Sequence, residues 1–282
     1  MRGMTEYAHH EPTILVLGAT GKTGRRVVER LQARGIQTRS GSRSAQPPFD
    51  WEDRGTWAPA LRGVDAVYVT YFPDLAVPGA PDAVGALARL AAEQGVQRLV
   101  LLSGRGEEEA QRSEELAKDA GIEQTILRSS WFDQNFSEGF LLDSVLAGVV
   151  ALPVDGVREP FVHADDLADI AVAALTEDGH AGRLYEVTGP RLMTFGDAVT
   201  EIAHAAGREI RFETVPMDAF AAELEQAGMT ADEAWLVNYL FSEVLDGRNE
   251  SLADGVQRSL GREPRDFAEY VAATAPTGIW NV

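Results

Sequence analysis

The chain alternates between short apolar runs and longer amphipathic stretches. An unbroken apolar run at Thr13–Leu17, with further runs at 64–70, 99–102 and 124–127, is typical of buried strands. A less apolar strand is expected at 36–42. Stretches with apolar residues on one face predict helices; they lie at 25–33, 81–94 and 111–120. Repeated strand–helix units with short turns predict an α/β fold with a Rossmann-type, doubly wound parallel sheet.

The second half of the chain has a less regular pattern. Residues 165–175 predict a periodic helix, and Leu184–Val187 predicts a short strand that rejoins the sheet. Phe195–Ala206 predicts another helix, 210–215 is extended, and the chain is helical and acidic from Asp218 onward. We therefore expect a flexible tail, a nucleotide-binding domain and a mixed segment, at 1–12, 13–150 and 151–282. Within the mixed segment, about 160–188 returns to the sheet and about 190–282 forms a mainly helical lobe over the substrate.

The loops after the predicted strands identify where a ligand would bind. In a parallel doubly wound sheet, ligands lie at the carboxyl ends of the strands. One crevice is therefore ringed by residues 18–24, 41–45, 71–78, 103–106 and 129–136.

A glycine-rich turn separates the first strand from the first helix. Glycine allows a sharp turn and a close approach of backbone to a pyrophosphate, and the helix N-terminus presents free N–H groups. The spacing is GxxGxxG, and a tight turn that binds nothing is the alternative. The strand before it and the helix after it favour dinucleotide binding. The candidate cofactor-binding residues in the turn are Gly18, Thr20, Gly21, Lys22, Thr23 and Gly24.

The end of the second strand indicates which dinucleotide is bound. NAD sites place a carboxylate there for the ribose hydroxyl, but residues 36–48 contain no acidic residue and instead carry Arg39 and Arg43. We expect Arg43, with Ser42, to hold the 2′-phosphate, so that NADP(H) is preferred over NAD(H). A solvated loop arginine is the alternative. The predicted cofactor site is completed at two strand ends by Thr70 and Ser103.

Composition excludes several other classes of protein. The 282 residues include no cysteine, so disulfides, thiolate metal sites and a cysteine nucleophile are ruled out. A net charge of −19 disfavours nucleic acid and anionic membranes, and no apolar stretch approaches the roughly 20 residues of a membrane helix. The histidines lack metal-binding spacing. We expect a cytoplasmic protein with a small-molecule substrate and no metal, and homodimerisation is the one assembly we consider.

A set of short motifs extends over most of the chain. Their residues are 18–24, 42–43, 49–51, 101–103, 125–128, 131–136 and 161–166. Together they resemble the NmrA-like branch of the atypical short-chain dehydrogenase/reductases, from about Ile14 to Gly189 and less specifically to Trp280. Residues 131–136 are the most specific, and are similar to the reductases of ergot-alkaloid pathways and their bacterial relatives. The resemblance implies a Rossmann fold and NADP(H) binding, but the branch contains both reductases and non-catalytic redox sensors.

The proton relay usual in short-chain dehydrogenases is missing. Those enzymes carry a serine and Tyr-x-x-x-Lys, in which the tyrosine donates a proton and the lysine lowers its pKa. Here no tyrosine lies between Tyr71 and Tyr185, and the only lysine nearby is Lys118. Ser103 matches the usual serine by its place at a strand end, and Tyr71 follows a strand at the crevice, so these two are the candidate catalytic residues. The alternative to another proton donor is an acceptor that needs no proton at the hydride step, such as an iminium ion or a quinone-like compound.

Aromatic and amide side chains near the crevice predict a substrate pocket. The candidates are Tyr71, Phe72, Trp131, Phe132 and Asn135. Packing between the lobes is the alternative, and it applies equally to Trp235 and Tyr239, which also suit a lid or a dimer contact. We interpret the acidic residues 165–166 as the acidic start of a helix rather than a catalytic or metal-binding pair, and 107–109 as a solvated helix start.

These features predict an NADPH-dependent oxidoreductase. Hydride would pass from nicotinamide C4 to a small organic acceptor, which is an imine or iminium, a quinone-like compound or a carbonyl. A non-catalytic NADP(H)-binding redox sensor is the first alternative. An epimerase or dehydratase would use the same fold but requires the missing Tyr-x-x-x-Lys. A closed, aromatic-lined pocket favours the enzyme, and an exposed acidic face for a partner favours the sensor.

Overall fold

The computed structural model describes residues 12–226 and 228–282, so all of the predicted tail except Pro12 lies outside the described residues. The strands are β1 Thr13–Leu17, β2 Gln37–Gly41, β3 Ala66–Val69, β4 Arg98–Gly104, β5 Glu123–Ser129, β6 Val149–Leu152, β7 Arg158–Glu159, β8 Leu184–Val187, β9 Met193–Thr194 and β10 Arg211–Thr214. The α-helices are α1 Lys22–Ala33, α2 Trp57–Leu61, α3 Ala80–Glu93, α4 Glu108–Lys118, α5 Asn135–Glu138, α6 Leu141–Ala147, α7 Ala164–Thr176, α8 Phe195–Ala206, α9 Met217–Gln226, α10 Ala231–Tyr239, α11 Gly255–Leu260 and α12 Phe267–Thr274.

A six-stranded parallel sheet, in the order β2-β1-β3-β4-β5-β8, forms the centre of the molecule. This confirms the predicted α/β fold with a doubly wound sheet, and β8 rejoins the sheet beside β5 as expected. The chain proceeds from β1 to β2 on one side and to β3 on the other, so the strand order reverses between β1 and β3. Such a switch point opens a crevice at the carboxyl ends of the two strands.

Strand β1 shows how both faces of the sheet are covered. All five of its residues are buried, and successive side chains point to opposite faces. Leu15 and Leu17 pack in a core with Leu87 of α3, whereas Ile14 packs in a second core with Leu31 of α1. The unbroken apolar run that predicted this strand is therefore a consequence of helices on both sides.

The second lobe has its own apolar core, rich in phenylalanine. It extends from Phe136 to Trp280, and the Trp280 indole N–H donates to the Phe136 carbonyl at 2.9 Å. Two small sheets contribute to the lobe: β6 pairs with β10, and β7 pairs with β9. The core of this lobe starts before residue 150, where the sequence analysis places the domain boundary.

The central strands are longer than their apolar runs. Strand β4 was expected at 99–102 and β5 at 124–127, but their pairing continues to Ser103↔Arg128 and Gly104↔Ser129. Backbone hydrogen bonds carry a parallel ladder regardless of side-chain polarity, and here the polar side chains find partners on α4. This extension carries Ser103 to the edge of the crevice.

Candidate cofactor and acceptor site

The turn between β1 and α1 packs tightly against the ends of the neighbouring strands β2 and β3. Gly18 has a φ of +63°, which favours glycine, and its N–H donates to the carbonyl of Gly41 at 3.1 Å. A Cβ at Gly18 would lie 2.3 Å from the Thr70 hydroxyl oxygen, and one at Gly24 would lie 2.1 Å from the Gly18 carbonyl oxygen. Both positions therefore require glycine, and the turn is rigidly placed beside β2 and β3.

The N-terminus of α1 is open to an anion. Its cap residue, Gly21, has no side chain that could occupy the first amides, and the first turn contains no acidic residue. Amides left free at a helix start, together with the helix dipole, attract phosphate. Lys22 adds a positive charge there; burial lowers its pKa, and the nearby Glu138 opposes that shift. The turn therefore fits the pyrophosphate of a nicotinamide dinucleotide, whose chemistry when bound is hydride transfer.

A cavity of about 500 Å³ extends from this turn to the second lobe. It brings together most of the predicted site residues, namely Gly18, Gly21, Lys22, Thr23, Thr70, Ser103, Tyr71, Phe72, Trp131, Phe132 and Asn135. The predicted residues outside its lining are Thr20, Gly24, Ser42 and Arg43. Gly24 is buried behind the turn, Thr20 is exposed in it, and the other two follow β2.

Aromatic rings form part of the cavity wall and also pack against the protein. Trp51 lies 4.7 Å from Tyr71 between ring centres, and its indole N–H donates to the Thr70 carbonyl at 3.2 Å. Trp131 meets Phe195 at 5.5 Å, edge to face. Phe72 is 72% exposed and lies at the rim. Trp131 both lines the cavity and packs against the second lobe, two roles that the sequence left as alternatives.

Helix α10 and the residues after it cover the cavity from the second lobe. Trp235 and Tyr239 stack on each other at 5.4 Å but are not among the lining residues. Instead, the lining side chains from this segment are Leu236, Val237 and Leu240. This segment therefore presents aliphatic side chains to the cavity, and the lid role suggested for its two aromatic residues stays a prediction.

Ser103 belongs to a buried charged network. Its hydroxyl donates to Glu114 at 2.6 Å, and Glu114 also accepts two hydrogen bonds from Arg128, at 2.9 and 2.6 Å. Because a serine hydroxyl has one hydrogen, Ser103 has none left to give an acceptor while this bond holds. The other candidate, Tyr71, has its pKa raised by partial burial and by Glu52, so its phenol is a weaker acid than usual.

Glu107 corrects one prediction. It was interpreted as part of a solvated helix start, but it is only 8% exposed and lines the cavity beside Asp74. Its carboxylate lies over Gly104, where a Cβ would come within 2.1 Å of Glu107 Oε1. Burial, and then the neighbouring Asp74 carboxylate, raises the pKa of Glu107 well above its ordinary value. Glu108, the next residue, is exposed as expected.

A sequence signal for this acidic pair was available. Asp74 follows β3 and Glu107 follows β4, so the strand-end rule that selected Tyr71 and Ser103 applies equally to both carboxylates. The run of three glutamates at 107–109 concealed the difference between the buried residue and its exposed neighbour.

The acidic pair at 165–166 starts helix α7, as predicted. The cap is His163, whose Nδ1 accepts from the Asp165 N–H at 3.1 Å. Asp165 pairs with Arg26 at 2.9 Å, and the fully buried Asp166 pairs with Arg262 at 2.7 Å. Within residues 12–226 and 228–282, no cluster of His, Asp or Glu has a metal-binding arrangement. No helix in this part of the chain is long and apolar enough to cross a membrane.

The two arginines near the end of β2 differ in their availability. Arg39 donates to the carbonyls of Ala60 at 2.6 Å and Arg62 at 2.9 Å, so it braces the loop before β3. Arg43 is exposed and has no ion pair or hydrogen bond to any other described residue. Ser42 follows Gly41, the residue that accepts the hydrogen bond from Gly18, and its hydroxyl lies 3.3 Å from that of Ser44.

The switch-point turn, the open helix N-terminus and the adjoining cavity define a dinucleotide-binding α/β protein. Residues 18–178 match the family described as NAD(P)H-binding, and the chain belongs to that family. It is an NAD(P)H-dependent oxidoreductase of the NmrA-like, atypical short-chain type, which confirms the resemblance found in its motifs.

Two relatives align over nearly the whole chain. Agroclavine dehydrogenase of Claviceps fusiformis is 31% identical, over 92% of this chain and 96% of its own length. The (4-alkanoyl-5-oxo-2,5-dihydrofuran-3-yl)methyl phosphate reductase of Streptomyces griseus is 33% identical, over 93% and 99%. The solved NADPH-dependent quinone oxidoreductase of Escherichia coli has a TM-score of 0.74 at 21% identity, over 92% of this chain and 99% of that one, and supports the fold.

Proposed function

We propose that the protein uses NADPH to reduce a small, flat organic acceptor, which is an imine or iminium, a quinone-like compound or a carbonyl. The observation that carries the proposal is the cavity of about 500 Å³ that joins the glycine turn to an apolar and aromatic wall. A concave apolar site with a few polar groups is the usual form of a small-molecule pocket. The aromatic side chains in its lining meet part of the criterion, a closed and aromatic-lined pocket, that favours an enzyme over a redox sensor.

The reaction proceeds without the Tyr-x-x-x-Lys relay under this proposal. Supporting it, the one lysine downstream of Ser103, Lys118, is exposed at the end of α4 and does not line the cavity. Tyr71 and Ser103 stay candidates from the sequence. The relatives named above include proteins described as acting on an alkaloid, a dihydrofuran ester and a quinone, which fits an acceptor class broader than simple ketones.

A panel of acceptors tests the proposal. NADPH oxidation should rise well above the rate without acceptor for at least one imine, quinone, azo dye or aldehyde. In Val237→Trp, where a large ring enters the cavity wall, turnover should fall sharply while NADPH still binds. Asp232→Trp, on the exposed first turn of the same helix, is the matched control and should turn over normally. No turnover with any acceptor, together with different affinities for NADP and NADPH, would support the sensor instead.

We also propose that Arg43 selects NADPH over NADH. Its guanidinium is exposed and uncommitted among the described residues, and β2 ends against the glycine turn through the Gly18–Gly41 hydrogen bond of 3.1 Å. A charge-assisted contact with phosphate contributes roughly 1.5–3 kcal/mol, or about 10- to 150-fold in affinity. Arg43→Ala should weaken NADPH binding by that factor and leave NADH binding nearly unchanged, by calorimetry.

The control for the cofactor experiment is Arg54→Ala. Arg54 is another exposed arginine of the same region, and its guanidinium lies 5.3 Å from the ring centre of Trp57. The Arg54→Ala substitution removes the same charge from this side of the protein and should change the affinity for either cofactor little. If Arg43→Ala loses affinity for NADPH and NADH equally, Arg43 does not recognise the 2′-phosphate. Homodimerisation and a cytoplasmic location stay predictions.

A further inference from the structure

The acceptor cavity is lined by two carboxyl groups that were not among the predicted site residues. Reduction of a carbonyl or quinone requires a proton as well as a hydride, and the usual tyrosine is absent. Two carboxyls line the cavity, Asp74 from the loop after β3 and Glu107 from the residue before α4. We propose that Glu107, paired with Asp74, is the general acid that delivers the proton to the acceptor. This rests on the proposed reductase function.

Position and burial support Glu107. Its side chain is more than nine-tenths buried, lies within hydrogen-bonding reach of Asp74, and is held over Gly104 at the end of β4. Asp74 is less buried than Glu107 and is oriented by a hydrogen bond of 2.9 Å from the Ala76 N–H. Two neighbouring carboxylates repel each other, and this repulsion favours a state in which the pair shares one proton.

The charged surroundings of Glu107 assign the shared proton to it. Burial raises its pKa, and the carboxylates of Asp74 and Glu114 raise it further. Tyr239 of α10 also lies near enough to interact with Glu107 electrostatically. Arg248, which reaches the Gly106 carbonyl at 3.1 Å, is already paired with Asp246 at 2.8 Å. Burial raises the pKa of Asp74 as well, but its hydrogen bonds from Ala76 and Glu107 oppose the shift.

Glu107 gives up one proton in each turnover and regains it from water. As hydride adds to the acceptor carbon, the Glu107 O–H bond breaks and its proton forms the new O–H bond on the acceptor oxygen. The electron pair stays on Glu107 as carboxylate. Asp74, which is nearer solvent, then passes one proton from water back to Glu107, so that each turnover consumes one NADPH, one acceptor and one proton.

Glu107→Gln gives the central test. With an aldehyde or quinone, the maximal rate should fall by about 10²–10⁴-fold, the usual contribution of a general acid. NADPH affinity and the melting temperature should stay close to the native values. Reduction of a preformed iminium should be nearly unchanged, because that acceptor needs no proton at the hydride step. Glu108→Gln removes an exposed neighbouring carboxylate and should behave as the native protein.

The pH profile and a spectroscopic titration add independent measurements. Carbonyl reduction should decline at high pH as Glu107 ionises, and Asp74→Asn should move that decline to lower pH, since a neighbouring carboxylate no longer opposes ionisation. In the protein without cofactor, ¹³C-labelled glutamate should show a carboxyl signal that is still protonated at neutral pH and is missing in Glu107→Gln. This signal does not depend on activity.

The outcomes separate the two proposals. If the native protein reduces no acceptor, the proposed function fails, and the carboxyl titration still decides whether Glu107 holds a proton. If the native protein is active and Glu107→Gln matches it, or loses iminium and carbonyl reduction equally, Glu107 is not the general acid. A selective loss of carbonyl reduction in Tyr71→Phe, with Glu107→Gln intact, would assign the proton to Tyr71. If Glu107→Gln does not fold, an unmoved profile in Asp74→Asn overturns the inference.

Discussion

Glu159 should make the protein less stable as the pH rises through neutrality. This carboxyl on β7 is 1% exposed; one oxygen accepts from the Ser130 hydroxyl at 2.9 Å, and the other has no partner. Burial raises its pKa from 4.5 to about 7, against the opposing effects of Ser130 and Arg105. The folded state therefore holds a proton that the unfolded state has already released, and stability is lost as pH rises from about 4.5 to 7.

The size of the effect follows from the two pKa values. Between pH 5 and pH 8 the free energy of unfolding should fall by about 2.5 kcal/mol because of this one group. In Glu159→Gln the side chain is neutral throughout, and its amide oxygen can still accept from Ser130. The difference in stability between variant and native protein should thus move by about 2.5 kcal/mol in favour of the variant.

Urea unfolding at a series of pH values measures this difference. Other titrating groups are shared by the two proteins and cancel when one curve is subtracted from the other. Glu93→Gln, an exposed carboxylate on α3, is the matched control and should give a flat difference. A flat difference for Glu159→Gln as well would show that Glu159 is ionised in the folded protein at pH 5.

Two further predictions concern packing at the site. Gly24→Ala should destabilise the protein by roughly 1–3 kcal/mol and weaken NADPH binding, since the new Cβ would lie 2.1 Å from the Gly18 carbonyl. In Gly21→Ala the new Cβ would lie 3.3 Å from the same Gly18 oxygen, a tight contact that a small shift relieves, so this variant should lose less stability than Gly24→Ala while still losing NADPH binding; similar melting temperatures for the two variants would contradict this. Arg128→Met should cost roughly 3–5 kcal/mol in urea unfolding, because Glu114 stays buried without its cation. Adding Glu114→Gln should recover part of that loss, and no recovery would argue against the ion pair.

The fold was predictable because its signals are local and strong. The apolar run of β1 and the glycine turn fix the start of the sheet, and the period of 3.6 residues identifies α7 and α8 closely. Strand ends were less predictable. The backbone ladder extends β4 and β5 through Ser103 and Arg128, and both polar side chains find a partner in Glu114, which lies on a helix far from either apolar run.

The site was predictable where it depends on backbone and less so where it depends on burial. Gly18 and Gly24 are required by close contacts that their spacing already indicates. The sequence could not separate Glu107 from Glu108, since consecutive glutamates have the same chemistry and only the tertiary fold buries the first. Nor could it show that Arg39 is engaged by the carbonyls of a later loop, which leaves Arg43 as the free cation among the described residues near the end of β2.

The cavity draws its two sides from distant parts of the chain. Gly18 and Lys22, on the cofactor side, come from the first strand–helix unit, whereas Leu236, Val237 and Leu240 come from near the end of the sequence. Under the proposed function, changes in the later segment should alter which acceptor fits while leaving the dinucleotide-binding turn as it is. Under the same proposal, a lineage with this architecture would acquire new substrates by varying the segment around α10, and an engineer would randomise that segment while keeping the dinucleotide-binding turn unchanged.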